Sequence, residues 1–267
     1  MNLSGKNILL TGGTSGLGLE TAAILASEGA YVTALGRTLK GSFPESPNYR
    51  FLATDFSDLE EVRRTLYLMK GEGIRFDIVI NNAGVLTSPD YIVTSQGNEY
   101  SFQVNFLSHL LVNEFILREG MYNENPLVMV VTSPVYRLTG PGYVFPERAG
   151  FKAFRTYSET KYYLLLIGDF LRKRYPSSGL SFAAFDPGTF GSGICRMQHR
   201  WFRIMYAIGN VVLKSPAKVA SRLCEVLERG EYGFNTVFSV HGHQRVFSPA
   251  EPGNADRFME ECFTRIA

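Results

Sequence analysis

The first apolar run of the chain, Asn7-Ile8-Leu9-Leu10-Thr11, passes directly into Gly12-Gly13-Thr14-Ser15-Gly16-Leu17-Gly18. Beyond it, Leu17, Thr21, Ile24 and Leu25 recur at helical spacing. A strand that turns through glycines into a helix leaves few architectures open. The glycines let the backbone bend tightly, and the helix start presents free N–H groups at the positive end of its dipole. Phosphate suits such a corner, and its position between a strand and a helix points to a nucleotide.

The alternation then repeats along the chain. Gly29 stops the first helix, and strands are expected at residues 31–35, around 51–53, at 76–80, 127–131 and 180–185, and finally at 236–240. Helices are expected from near Asp58, over 97–118, over 157–174 and over 218–229. Strands that are apolar throughout, separated by helices, imply a parallel sheet covered on both faces. The expected fold class is α/β: a single doubly wound Rossmann-type domain over residues 1–267, with ligands beyond the carboxyl ends of the strands.

With 45% hydrophobic residues in 267, the chain can fill one such core. A formal net charge of +2 carries no nucleic-acid footprint, and Arg63-Arg64 and Arg172-Lys173-Arg174 read as solvated helix surface. Cys195, Cys224 and Cys262 lack metal-ligand spacing and suit a reducing compartment as inert thiols. No metal site is expected, and the pair His241/His243 reads as a strand alternation without a third ligand. The start of the chain has no signal-like segment, and no apolar stretch is long enough to span a bilayer. The expected location is cytoplasmic, with peripheral membrane contact left open.

Tyr157 and Lys161, four residues apart, share one helix face. A phenol with a pKa of ~10 is a weak base at neutral pH unless a neighbouring cation favours phenolate. Ser133 ends the fifth strand and therefore belongs at the same crevice as the glycine corner.

Taken in order, residues 11–18, Asn81-Asn82-Ala83-Gly84, Asn105, Ser133, Tyr157 with Lys161, and Pro187-Gly188 resemble the short-chain dehydrogenase/reductase superfamily. The long 134–156 loop, Val104-Asn105-Phe106-Leu107-Ser108-His109 and Lys214-Ser215-Pro216 are most similar to its retinol-dehydrogenase-like branch. The resemblance implies an oxidoreductase that moves a hydride between a nicotinamide cofactor and the alcohol or carbonyl group of a lipophilic small molecule. It assigns catalysis to Asn105, Ser133, Tyr157 and Lys161. Tyr157 is the general acid or base, Lys161 tunes it and holds the nicotinamide ribose, Ser133 steadies the substrate oxygen, and Asn105 holds a relay water. It assigns cofactor contacts to Gly12, Thr14, Ser15, Gly16, Leu17, Gly18, Asp55, Asn82, Ala83, Gly84, Tyr157, Lys161, Pro187, Gly188 and Thr189. Residues 190–213 fall where the family has its substrate lid, which is also the segment that would touch a membrane surface.

Cofactor choice follows from charge. The second strand ends Leu35-Gly36-Arg37-Thr38, with no carboxylate to repel a 2′-phosphate and a guanidinium suited to bind it. NADP(H) is favoured over NAD(H), and Arg37 joins the cofactor set. Apolar residues in excess of one sheet-facing stripe, among them Phe102, Phe106, Leu110, Leu164, Ile167 and Leu171, suggest a homodimer or homotetramer. Two other classes stay open: a cofactor-bound isomerase, lyase or dehydratase, and a redox-silent NADP(H)-binding regulatory protein.

Overall fold

The computed structural model describes residues 2–38, 46–86, 89–138, 140, 142–188 and 215–267. Strand β1 (Asn7–Thr11) leads into helix α1 (Gly16–Ser27), followed by β2 (Tyr31–Gly36), β3 (Tyr49–Ala53), α2 (Leu59–Gly71) and β4 (Phe76–Asn81). A helical turn at Tyr100–Phe102 and a π-helical stretch at Gln103–Leu107 run on into α3 (Ser108–Arg118). Then come β5 (Tyr122–Val131), a 3₁₀ turn (Pro134–Arg137), α4 (Ala153–Arg174) and β6 (Ser181–Asp186). The chain closes with α5 (Pro216–Arg229), β7 (Thr236–Ser239), β8 (Gln244–Val246) and α6 (Pro252–Ile266).

The eight strands form one sheet in the order β3-β2-β1-β4-β5-β6-β7-β8. The first seven are parallel, and β8 pairs antiparallel to β7. Successive strand residues face opposite sides, so Ile8 and Leu10 enter one apolar layer and Leu9 the other. Helices α1 and α5 pack together on the first face; α2, α3 and α4 lie on the second. Strand order reverses between β1 and β4, so the crevice at their carboxyl ends is the expected ligand site.

The expected strands and helices are present, with corrections at their ends. Helix α4 begins one turn before Tyr157, and the helix expected over 97–118 starts at Tyr100. There the Glu99 carboxylate accepts the Phe102 N–H as an N-cap, and that bond fixes the start. The strand at 236–240 is not the last: β8 follows it, exposed at all three residues and without apolar alternation to mark it. His241 and His243 therefore lie in a hairpin turn rather than on a strand.

Helix α6 accounts for the apolar surplus of α3 and α4. Phe258 lies 4.5 Å from Tyr163 and 5.5 Å from Phe145 between ring centres, and stacks on Phe106 at 6.1 Å. Phe102, Phe106, Leu110, Leu164, Ile167 and Leu171 are all buried within a single chain. Their exposure was the physical ground for expecting a second copy, and that ground is gone. The basic run of α4 is engaged too, Lys173 with Asp256 at 2.6 Å and Arg174 with Glu260 at 3.4 Å. Those side chains tether α6 instead of facing only solvent.

Candidate active site

At the corner after β1, Gly12 has a φ of +69°, and a Cβ there would stand 2.9 Å from the Ala83 Cα. A Cβ on Gly18 would stand 2.2 Å from the Gly12 carbonyl oxygen. Any larger residue at either position would push the loop, α1 and the 82–84 turn apart. Ser15 occupies the N-cap of α1 but makes no side-chain capping bond. The first-turn N–H groups thus keep their capacity for an anion, whereas Asp58 caps α2 with its own carboxylate. Gly16, exposed with a φ of +53° and open space where its Cβ would point, leaves the mouth of this cradle clear.

A buried polar chain ties this corner to the helix of the catalytic candidates. The Thr11 hydroxyl oxygen accepts the N–H groups of Asn82 and Ala83, both at 2.9 Å. His109 Nδ1 lies 2.8 Å from the Asn105 carbonyl, so it carries the proton; Nε2 then accepts the Thr11 hydroxyl at 2.9 Å. Burial pushes the His109 pKa down from 6.5 to about 4, which keeps the ring neutral. The Asn82 side chain adds bonds to the Thr11 and Gly12 carbonyls at 2.9 and 3.3 Å.

Asn105 sits in the π-helical stretch, fully buried. Its amide accepts the Val85 N–H at 2.8 Å, donates to the Val85 carbonyl at 2.9 Å and reaches the Thr160 hydroxyl at 3.2 Å. This pins the chain after β4 against α4. A Cβ built on Gly84 would lie 3.4 Å from Lys161 Nζ and 3.6 Å from Asn105 Oδ1, so glycine there lets all three groups converge.

Lys161 and Tyr157 are both buried on α4. Lys161 Nζ lies 5.9 Å from the centre of the Tyr157 ring and donates to the Val131 carbonyl at 2.9 Å. Desolvation lowers its pKa from 10.5 to about 8, so it is still mostly charged at pH 7. The Thr132 hydroxyl donates to the Lys161 carbonyl at 2.8 Å, locking α4 to the end of β5. Ser133 follows in extended conformation as the N-cap of the 3₁₀ turn. Pro134 takes the N1 position, where its fixed φ and missing N–H cost nothing.

The other expected contacts are spread along the same edge. Arg37 lies at the end of β2, exposed, donating to the Tyr100 hydroxyl at 3.1 Å. Asp55 follows β3 and accepts the Ser57 N–H and hydroxyl at 2.9 and 2.8 Å, and α2 is capped by Asp58. Pro187 and Gly188 follow β6, whereas Thr189 and the expected lid at 190–213 fall outside the described residues. Among the described residues, no three His, Cys, Asp or Glu side chains converge as metal ligands. Cys224 and Cys262 are buried thiols whose pKa burial raises, Cys224 to about 12; Cys195 is outside the described residues.

Two groups of this edge were missed from the sequence. His109 was legible as the residue one turn after Asn105 on an apolar helix. Asp186, directly before Pro187-Gly188, is buried and accepts Gly188 N–H at 2.9 Å and Arg137 at 3.3 Å.

The model of the short chain dehydrogenase family matches residues 6–197, most of the chain and its elements from β1 to β6. The chain belongs to that family. Retinol dehydrogenase 12 of Mus musculus is 33% identical over 208 residues, 73% of this chain and 65% of that protein. The WW domain-containing oxidoreductase of Drosophila melanogaster is 26% identical over 238 residues, 82% of this chain and 58% of that protein. The chain thus spans about three fifths of the length of the first curated relatives it matches. Among solved structures, a short chain dehydrogenase from Leptospira borgpetersenii with bound NAD+ superposes with a TM-score of 0.67 at 18% identity, covering 89% of this chain and 91% of that one. An uncharacterised protein from Mycobacterium paratuberculosis gives 0.71 at 21% identity, over 99% and 92%. These likenesses establish a shared fold. No described helix is long and apolar enough to cross a membrane.

Proposed function

We propose that the chain is an NADP(H)-dependent oxidoreductase acting on the alcohol or carbonyl group of a lipophilic small molecule, with Tyr157 as the general acid/base. The observation that carries this reading is the buried Tyr157–Lys161 pair beside Asn105 and Gly84, at the same sheet edge as an uncapped glycine corner. The residues fit the cofactor: the α1 N-terminus and its glycines suit a pyrophosphate, Lys161 and the 82–84 turn a ribose, and Arg37 a 2′-phosphate. When bound, the nicotinamide supplies or accepts the hydride.

The chain's own work is proton handling and charge placement. In reduction the Tyr157 hydroxyl gives its proton to the substrate oxygen; in oxidation the phenolate takes it back. The Lys161 ammonium, held in a low-dielectric site, favours that phenolate. The Ser133 hydroxyl donates to the substrate oxygen as negative charge develops there. Asn105 holds the loop after β4 in place, which positions Gly84 beside Lys161. The lipophilic body of the substrate rests on the similarity to retinol dehydrogenase 12, not on the aromatics of the 134–156 loop. Of those, Tyr143 and Phe145 pack against Phe258, Phe151 packs against Tyr91, and Phe154 is exposed.

The test is NADPH absorbance against a panel of lipophilic aldehydes and ketones, with alcohol formation measured in parallel. Equal amounts of NADPH consumed and alcohol formed are expected. Substrate conversion with no net consumption of NADPH would assign the site to an isomerase, lyase or dehydratase.

A further inference from the structure

At the carboxyl ends of β6 and β7, beside Pro134, lies a cavity of about 290 Å³. Its walls include Pro134, Arg137, Asp186, Gly188, His241 and Arg245, with His243 beside them. Pro134 directly follows Ser133, and Gly188 directly follows Pro187, so two of its wall residues are chain neighbours of the candidate site. At close to 300 Å³ it sits at the small end of ligand pockets and suits one end of a substrate.

The charge of this cavity is unlike that of an apolar pocket. Among its described residues the one carboxylate, Asp186, bonds to Arg137 and the Gly188 N–H. Arg245, on the exposed edge strand β8, forms no ion pair among the described residues. Two imidazoles stand beside it in the β7–β8 turn. Asp186 feels Arg137, His241 and Arg245 together, and one carboxylate set against two guanidiniums leaves the wall with surplus positive charge. Cofactor phosphates do not explain that surplus. The glycine corner follows β1, four strand spacings of about 4.8 Å from β7, and Arg37 is one strand further away.

We propose that this cavity receives a carboxylate carried by the substrate, with Arg245 as its specificity-determining contact and the reacting carbonyl directed toward Ser133 and Tyr157. The proposal rests on the oxidoreductase reading and narrows its substrate class to oxo or hydroxy compounds that carry an acid group. Arg137 serves as a positioning residue, because its guanidinium is committed to a buried carboxylate.

The test compares para-formylbenzoate with its methyl ester on the full chain, by calorimetric binding with and without NADP+ and by NADPH-linked turnover. The acid should bind and show the lower KM. Arg245→Gln should weaken its binding and raise its KM roughly tenfold or more, leaving the ester unchanged, and Arg245→Lys should restore part of the effect. Equal binding of acid and ester to the native protein overturns the proposal, even if Arg245→Gln does not fold. So does an Arg245→Gln substitution that leaves the acid preference intact or weakens acid and ester equally, or inorganic phosphate that binds as tightly as the acid. Binding of the acid through Arg245 without turnover would retire the redox reading and leave the carboxylate site standing. Turnover of the ester as fast as the acid would do the reverse.

Discussion

Lys161 Nζ lies one helical turn from Tyr157, 5.9 Å from its ring centre, and is anchored to the Val131 carbonyl at the end of β5. The anchor has a physical consequence. A buried lysine without a fixed acceptor loses its charge or turns toward water. Here one backbone bond holds the ammonium beside the phenol, and helix α4 and strand β5 are both required to build the pair.

Arg37 supplies the cofactor preference proposed above. Arg37→Ala should lower NADPH affinity roughly tenfold to a hundredfold, the value of a charge-assisted contact to phosphate. NADH affinity should barely change. Fluorescence titration of both cofactors checks it, and an unchanged affinity ratio would remove Arg37 from the site.

His109 makes stability depend on pH. Its folded pKa of about 4 lies below the usual 6.5, so the folded state refuses a proton that the unfolded chain accepts. Its contribution is therefore complete above pH 6.5 and is lost as pH falls toward 4, by about 3 kcal/mol. Urea unfolding at pH 7 and at pH 4.5 should show this drop in the native protein and a smaller one in His109→Gln. Equal drops in the two proteins would show that the ring titrates normally.

Phe258 tests why the apolar faces of α3 and α4 need no second copy. It touches Phe102, Phe106, Tyr143, Phe145 and Tyr163. Phe258→Ala should cost about 3–5 kcal/mol in urea unfolding. A loss below 1 kcal/mol would mean that α6 is loosely held and that the covered face is open to a partner.

What could be read from sequence was what local periodicity and backbone chemistry specify. Most strands from β1 to β7 carry short apolar runs (β3 with Arg50 and the polar start of β5 being weaker), and their helices carry stripes at three- and four-residue steps, so the doubly wound sheet was legible. The glycine corner was legible because only glycine fits Gly12 and Gly18. Arg37, Ser133, Tyr157 and Lys161 were legible as residues at strand ends or on one helix face. Non-local consequences were not. Residues 244–246 become a strand only by pairing with β7, and nothing in Gln-Arg-Val announces it. Apolar residues on α3 and α4 looked exposed because Ala255, Phe258, Met259, Cys262 and Ile266, a readable helical stripe, were not set against them. The Thr11–His109–Asn105 chain joins residues up to 98 positions apart, beyond the reach of any spacing rule.

The most direct measurement of the mechanism is Tyr157→Phe, assayed for turnover and for NADPH affinity on the same preparation. Phenylalanine keeps the ring volume and removes only the hydroxyl, so fold and cofactor binding should survive while turnover falls by at least about a hundredfold. Lys161→Ala, run alongside, should lose turnover and NADPH affinity together. Near-native turnover by Tyr157→Phe would contradict the account, because the proton would then be moving through some other group.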